Sequence, residues 1–215
     1  ASLVGSEMCI RDRYKTAGAD RLMCVDLHTS QIQGFFDGPL DHLFAIPVLA
    51  KHIRERVDDL SNVTVVSPDT GRVRVAEHWA DLLDGAPLAF VHKTRDINVP
   101  NQAVSKTVVG DIEGRTCVLI DDMIDTGGTI AGAVKVLMDK GAKEVIIAAT
   151  HPVLSDPAAE RLSQCGAVEV VVTNTLPVPE EKQFDNLTIL SIAPLIARAI
   201  REVFDEGSVT EIFEH

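Results

Sequence analysis

The sequence predicts an α/β protein in which a parallel sheet carries helices on both faces. From Arg21 onward, short runs of apolar and β-branched residues alternate with amphipathic segments of helical length. The strand-like runs are almost continuously apolar, as in residues 145–149 (VIIAA), which is typical of parallel strands covered on both faces. Because ligands bind at the carboxyl ends of the strands in such sheets, the residues following each strand are the first candidates for a functional site.

Seven strands and five helices are predicted in alternating order. The predicted strands are Leu22–Leu27, Val63–Val66, Leu88–Val91, Thr116–Ile120, Val145–Ala149, Val168–Val172 and Leu187–Ile192. The predicted helices are Pro47–Val57, Val73–Leu83, Ile130–Lys140, Pro157–Gln164 and Pro194–Phe204. Gly141 follows the third helix, and glycine commonly occupies the left-handed position that closes a helix.

Composition and charge argue against several classes of function, namely nucleic-acid binding, binding to an anionic membrane surface and membrane spanning. The chain has 215 residues, of which 46% are hydrophobic and 24% charged, as in ordinary globular domains. The 20 basic and 32 acidic residues give a net charge of −12, which opposes binding to nucleic acid or to an anionic membrane surface but not to a small anion. The longest apolar run has about five residues, too short to span a bilayer. The four cysteines, at positions 9, 24, 117 and 165, lack CxxC spacing and favour a reduced, cytoplasmic chain.

Residues 1–13 (ASLVGSEMCIRDR) do not fit the pattern of the rest of the chain. They show no clear hydrophobic period, and a patterned globular sequence is already under way at Tyr14. We interpret this segment as a non-native leader, with an ordinary frayed terminus as the alternative. It is therefore excluded from the prediction of the fold.

The most specific motif follows the strand predicted over Thr116–Ile120. It reads Asp121-Asp122-Met123-Ile124-Asp125-Thr126-Gly127-Gly128-Thr129 and leads directly into a helix. Two carboxylates at the end of a buried strand persist where hydroxyls, a metal ion or cations receive them. The glycines permit close approach of a ligand, and the free amides of the helix start favour a phosphate. The segment therefore predicts a ribose-phosphate cradle, and a capped helix after an acidic turn is the structural alternative.

This segment resembles the phosphoribosyl-diphosphate binding motif of the type I phosphoribosyltransferase fold. Two classes of enzyme share that motif: transferases that consume the activated ribose and diphosphokinases that make it. Three further stretches separate the two classes: VDLHTSQIQGFFD (25–37), VVSPDTG (65–71) and FVHKTRD (90–96).

Each of these stretches offers a chemically distinctive side chain and also an ordinary structural interpretation. His28 follows a predicted strand, Asp69 lies on a tight turn after another, and Lys93 and Arg95 alternate on an extended segment. A turn histidine, a plain aspartate turn and a solvated pair of loop charges are the corresponding structural alternatives. None of the stretches decides the function by itself.

Taken together, these stretches resemble the ribose-phosphate diphosphokinases of the phosphate-activated class, over residues 14–215. The resemblance implies transfer of the diphosphoryl group of ATP to the anomeric hydroxyl of ribose 5-phosphate, with Mg2+ as cofactor. It implies that Lys93 and Arg95 are catalytic and that His28 and Asp69 are associated with the metal. The implied ribose 5-phosphate site comprises Arg95, Asp121, Asp122, Asp125, Thr126, Gly127, Gly128 and Thr129. The two adjacent carboxylates of this site would receive either the ribose hydroxyls or a second Mg2+.

The resemblance also implies how the chain is organised. Residues 14–45 would be the end of an N-terminal domain, 46–205 a phosphoribosyltransferase-like domain, and 206–215 a C-terminal tail. Family members form hexamers, and half of their ATP site lies in the N-terminal domain, so we expect the 215-residue chain alone to be nearly inactive. A phosphoribosyltransferase of nucleotide salvage and a non-catalytic regulatory paralogue are the alternative functions.

Overall fold

A computed structural model describes residues 13–94, 105–205 and 207–209. The chain divides into two compact units, one formed by the residues up to Ala45 together with those from Pro194 onward, and one formed by Ile46–Ala193. The helix predicted over Pro194–Phe204, which the sequence assigns to the domain 46–205, clusters with the first unit in this division.

The secondary structure consists of nine strands and five helices of at least seven residues over the described ranges. The strands are β1 (Leu22–Val25), β2 (Leu40–Leu43), β3 (Val63–Ser67), β4 (Leu88–Thr94), β5 (Ser105–Val109), β6 (Thr116–Ile124), β7 (Glu144–Pro152), β8 (Glu169–Thr173) and β9 (Leu187–Leu190). The helices are α1 (Ile46–Arg56), α2 (Val73–Leu82), α3 (Gly128–Asp139), α4 (Ala158–Gln164) and α5 (Ala193–Phe204).

The second unit contains a seven-stranded sheet with the order β5-β4-β3-β6-β7-β8-β9. All neighbouring strands are parallel except β4 and β5, which are antiparallel. The chain moves from β3 outward to β4 in one direction and from β6 outward to β7 in the other. Because both crossovers of this kind are right-handed, α2 and α3 cover opposite faces. The crevice between the carboxyl ends of β3 and β6 is therefore the topological switch point, where ligands bind in open α/β sheets.

The adjacent strands β6 and β7 are apolar at the centre of the sheet and support this crevice. Residues 117–120 of β6 and 145–149 of β7 are buried with no measurable exposure, and α3 packs against both strands. At the end of α3, Gly141 has φ +88°, its amide donates to the Met138 carbonyl, and the next amide, of Ala142, donates to the Leu137 carbonyl. This is the Schellman arrangement that the sequence indicates.

Burial also determines the chemistry of a thiol in the central strand. Cys117 lies on β6 with no exposed surface, and desolvation raises the pKa of its thiol to about 12, against a smaller opposing effect of Arg115. The thiol is therefore neutral and inert in the folded protein.

The first unit contains a separate two-stranded parallel sheet formed by β1 and β2. Asp26 follows β1 with φ +42°, and its Oδ2 accepts a hydrogen bond of 3.0 Å from the amide of Ala45. This bond stabilises a conformation that aspartate tolerates better than most residues.

The predicted fold class is confirmed, and each predicted strand and helix is present with shifted ends. Two strands, β2 and β5, were not predicted because each contains only two apolar residues and forms no continuous apolar run; their sequences are LDHL and SKTVV. The strand β6 continues to Ile124, beyond its predicted end at Ile120, so that the two adjacent carboxylates belong to the strand itself. In the part of the chain that the structure describes, no helix is both long and apolar enough to cross a membrane.

The contribution of the core is testable with two adjacent residues of α3. Leu137 is fully buried, whereas Met138 is 41% exposed. We expect Leu137→Ala to lower the free energy of unfolding by about 2–5 kcal/mol, because it leaves a cavity beneath the sheet. Met138→Ala is the matched control and is expected to change it by less than about 1 kcal/mol. Urea denaturation measures both, and equal losses in the two variants would contradict the packing described.

Candidate active site

An arginine spans the switch-point crevice and contacts both carboxylates at the end of β6. Arg72 Nε lies 3.1 Å from Asp121 Oδ1, and Arg72 Nη2 lies 2.6 Å from Asp122 Oδ1. The three side chains are 18%, 15% and 7% exposed, respectively. The two carboxylates are thus paired with a cation. A cation is one of the three kinds of partner, besides hydroxyls and a metal ion, that their position at the end of a buried strand indicates.

The two carboxylates remain poorly solvated despite this cation. Burial raises the pKa of Asp121 to about 7, and a hydrogen bond with Asp122 and the negative charge of Asp122 act in the same direction. The positive charge of Arg72 lowers the pKa of Asp121. The amide of Asp122 also donates to Asp121 Oδ1 at 2.9 Å. A carboxyl group in this state responds strongly to any ligand that brings hydrogen-bond donors or positive charge.

The turn after β3 holds Arg72 and Asp69 in place. Ser67 Oγ donates to the carbonyl of Asp69 at 2.5 Å, and the amide of Gly71 donates to Asp69 Oδ1 at 2.8 Å. Residues Thr70–Arg72 then form a single 3-10 turn before α2 begins. The exposed Asp69 therefore lies at the carboxyl end of β3, where the sequence places it.

The segment Thr126–Thr129 forms the start of α3, as the motif predicts. Gly127 precedes the helix with φ +70°, and no side chain caps the helix there. A Cβ at this position would lie 3.4–3.6 Å from Leu162 and Ala158 of α4, so glycine serves both the left-handed conformation and the close approach of α4. The first amides of α3 and the positive end of its dipole are therefore directed toward the same edge of the sheet as the carboxylates.

A second arginine lies beside this helix start. Arg161 Nη1 donates to the carbonyl of Thr126 at 3.0 Å and lies 3.5 Å from where a Cβ on Gly128 would be. Exposed hydroxyl-bearing residues, Thr126 and Thr129, flank the two glycines. The helix start thus combines amide donors, hydroxyls and a guanidinium, all of which suit a phosphate group.

Sequence reasoning missed both arginines for the same reason. Arg72 lies three residues beyond Asp69, and Arg161 lies in the next helix along the chain, 35 residues from Thr126. Their roles arise from tertiary contacts that no local spacing reveals. The one available signal for Arg72 was its position directly after Gly71, on a loop that follows a strand.

Of the remaining predicted site residues, one lies in β4, one in the first unit and one between β6 and α3. Lys93 lies in β4, two residues beyond the predicted end of that strand at Val91, and its backbone is in register with Lys106 of β5. Arg95 lies outside the described residues. His28 belongs to the first unit, is exposed and follows β1 by three residues. Asp125 is exposed between β6 and α3.

The donors at the crevice are compatible with Mg2+ bound together with a phosphate ligand. Asp69 offers an exposed carboxylate that the Gly71 amide orients. Within residues 13–94, 105–205 and 207–209, no three His, Cys, Asp or Glu side chains form a cluster able to hold an ion. Mg2+ keeps several waters and commonly takes one or two carboxylates plus substrate phosphates. The exposed and oriented carboxylate of Asp69 is a ligand of the type that Mg2+ takes together with substrate phosphates.

The doubly wound sheet defines an α/β fold, with the acidic crevice and the uncapped helix start at its topological switch point. A family model described as phosphoribosyl synthetase-associated domain matches residues 86–214, more than half of the chain. The chain belongs to the phosphoribosyl synthetase family.

Individual relatives agree with this assignment. The chain is 66% identical over 209 residues to a ribose-phosphate pyrophosphokinase of Mycobacterium tuberculosis, covering 97% of this chain and 64% of that protein. It is 66% identical over 204 residues to one from Bifidobacterium longum, covering 94% and 60%. A crystal structure of phosphoribosylpyrophosphate synthetase from Mycobacterium smegmatis superposes with a TM-score of 0.86 at 62% identity, covering 94% and 64%.

These findings confirm the resemblance to the ribose-phosphate diphosphokinases that the sequence indicates. The chain nevertheless spans less than two thirds of the length of the relatives that it matches. The roles of individual site residues remain predictions.

The raised pKa of Asp121 predicts a pH-dependent stability. The folded protein retains the proton up to about pH 7, whereas the unfolded chain releases it near pH 3.8, so the contribution of this group to stability is lost as pH rises between these values. Asp121→Asn removes the titrating group and therefore this decrease of stability with rising pH. We expect the variant to match the wild type near pH 4 and to become increasingly more stable than the wild type as pH rises toward 8.

Urea denaturation across this pH range measures the difference. A constant offset for Asp121→Asn at every pH would contradict the prediction.

Proposed function

We propose that this chain is the ribose 5-phosphate-binding part of an enzyme that transfers the diphosphoryl group of ATP to ribose 5-phosphate. The products would be 5-phosphoribosyl 1-diphosphate and AMP. The observation that carries this proposal is the crevice itself, in which the buried carboxylates of β6 adjoin the uncapped start of α3 at the switch point of the sheet. The names of the relatives support the same activity.

The start of α3 suits the 5-phosphate of the sugar. The amides of the first turn lack a side-chain cap, and the Arg161 guanidinium lies next to Gly128. Both partial and full positive charges at a helix N-terminus stabilise a bound phosphate. The hydroxyls of Thr126 and Thr129 would add neutral donors.

The carboxylates of Asp121 and Asp122 suit the ribose hydroxyls. A sugar diol presents two O–H donors side by side, and adjacent carboxylates provide paired acceptors. With the phosphate at the start of α3 and the diol on the carboxylates, the ring would be held at both ends. The anomeric hydroxyl would then point away from the 5-phosphate, toward the approaching nucleotide.

In the proposed reaction, the anomeric oxygen attacks the β-phosphorus of ATP. The new C–O–P linkage forms as the bond between the β-phosphorus and the oxygen bridging to the α-phosphorus breaks. AMP leaves with that oxygen, and the anomeric proton is released to solvent. Charge develops on the phosphoryl oxygens, so positioning and cations supply most of the catalysis.

We assign the catalytic cations to Lys93 and Arg95 and the metal-associated positions to Asp69 and His28. When bound, Mg2+ would neutralise charge on the polyphosphate. A cationic clamp of this type contributes on the order of a thousandfold in rate. We further propose that the complete protein is a homo-oligomer, a hexamer as in its family, and acts in the cytoplasm. The distinctive stretches at 25–37 and 90–96 and the identity to pyrophosphokinases favour this function over a salvage phosphoribosyltransferase or a regulatory paralogue.

A graded substitution at Gly128 tests the phosphate site. A Cβ there meets Arg161 Nη1 at an ordinary 3.5 Å, so Gly128→Ala is tolerated, whereas Gly128→Val fills the space between the amides and the guanidinium. Titration calorimetry with ribose 5-phosphate is expected to show about a tenfold or greater loss of affinity for the valine variant, since it removes charge-assisted hydrogen bonds. The alanine variant should lose less, and unchanged binding in both would reject the phosphate site.

Lys93→Ala tests the catalytic assignment. Because this chain spans part of its relatives' length, turnover is measured in a version completed with the N-terminal part of the Mycobacterium tuberculosis relative, whose AMP release is the positive control. We expect the variant to lose about a thousandfold in turnover while ribose 5-phosphate affinity changes little, since the lysine would act on the phosphoryl oxygens. Near-normal AMP release would rule out the assignment of Lys93.

A further inference from the structure

We infer that Arg72 is a positioning residue that holds Asp121 and Asp122 together as one paired acceptor for the ribose diol. This inference rests on the function proposed above and adds to it a residue outside the predicted site. The supporting observations are the distances between the side chains of Arg72, Asp121 and Asp122 and the position of Arg72 on the turn after β3.

Arg72 brings together two carboxylates that a regular strand would direct to opposite faces. Consecutive residues of a strand direct their side chains to opposite faces of the sheet, so Asp121 and Asp122 of β6 would diverge in a regular strand. Nevertheless, one oxygen of each lies within 3.1 Å of the same Arg72 guanidinium. The planar fork of an arginine can contact two oxygens at once. Arg72 therefore converts two diverging groups into a single converging pair.

Arg72 also lies across the crevice from the strand that carries the two carboxylates. The ladder between β3 and β6 ends at the pair Val66–Leu119, so the backbones no longer bond where the carboxylates lie. Arg72 comes from the turn after β3 and reaches the acidic pair on β6. Its side chain is thus a link between the two walls of the crevice at the point where the sheet opens.

The charge of Arg72 compensates the two carboxylates in a poorly solvated environment. All three side chains are less than one-fifth exposed, and two adjacent carboxylates in such an environment repel each other. Removing the arginine would leave charge without its partner in a poorly solvated site, which is more costly than losing a surface pair. The carboxylates would then separate or become neutral, and in either state the paired acceptor is lost.

Arg72→Met tests the inference, and Arg72→Lys tests whether the fork matters beyond its charge. Arg54 supplies the matched control, since it forms an ion pair with Asp84 at 2.6 Å in the same unit, with a side chain 43% exposed. We expect Arg72→Met to weaken ribose 5-phosphate binding by about tenfold or more, as for loss of charge-assisted hydrogen bonds. Arg72→Lys should restore part of this affinity, and Arg54→Met should remain within about twofold of wild type.

Binding of inorganic phosphate separates positioning from general damage. Phosphate uses the helix start of α3 but offers no diol, so its affinity, measured by phosphorus NMR titration of the 215-residue chain, should be the same in Arg72→Met and wild type. Equal losses of phosphate and ribose 5-phosphate affinity, or wild-type affinity for ribose 5-phosphate in Arg72→Met, would overturn the inference alone. If Arg72→Met fails to fold, Arg72→Lys carries the same comparison. A wild-type chain that does not bind ribose 5-phosphate would instead overturn the proposed function and, with it, this inference.

Discussion

The contact of Arg72 with the two carboxylates of β6 is the interaction on which the architecture of the site depends. The strand that carries Asp121 and Asp122 is fully buried up to Ile120, so acidic groups at its end enter a poorly solvated environment. They are retained there because a cation from the other side of the switch point partners them. The sheet order determines which loop can supply that cation, since β3 is the strand adjacent to β6. Topology and electrostatics thus select the same crevice.

The sequence was sufficient to predict the layered fold because its central strands are continuous apolar runs. Such runs require cover on both faces, which fixes a parallel sheet with helices on each side. The strands β2 and β5 were not predicted because each has only two apolar residues and pairs at a sheet edge or in a separate small sheet. Edge strands bury less surface, so their sequences carry a weaker signal.

The candidate site was predictable to the extent that it is contiguous in sequence. Residues 121–129 form one strand–turn–helix unit, and its glycines and carboxylates adopt the arrangement that their order indicates. Arg72 and Arg161 were not predictable, because an isolated arginine on a turn or helix is compatible with a solvated surface. Their significance comes from side-chain distances that depend on how separate elements pack. The assignment of Lys93 and Arg95 depends on family resemblance rather than on a described contact.

The inert thiol of Cys117 in the central strand allows unfolding of the sheet to be measured by thiol labelling. Cys117 cannot meet a reagent without disruption of the most protected part of the sheet, and its neutral form does not react. The partly exposed Cys24 and Cys165 would be modified before Cys117. The rate at which Cys117 is labelled would then report the rate of global unfolding. A slower labelling of that sulfur in the presence of a sugar phosphate would register ligand binding as protection, through a residue that never touches the ligand.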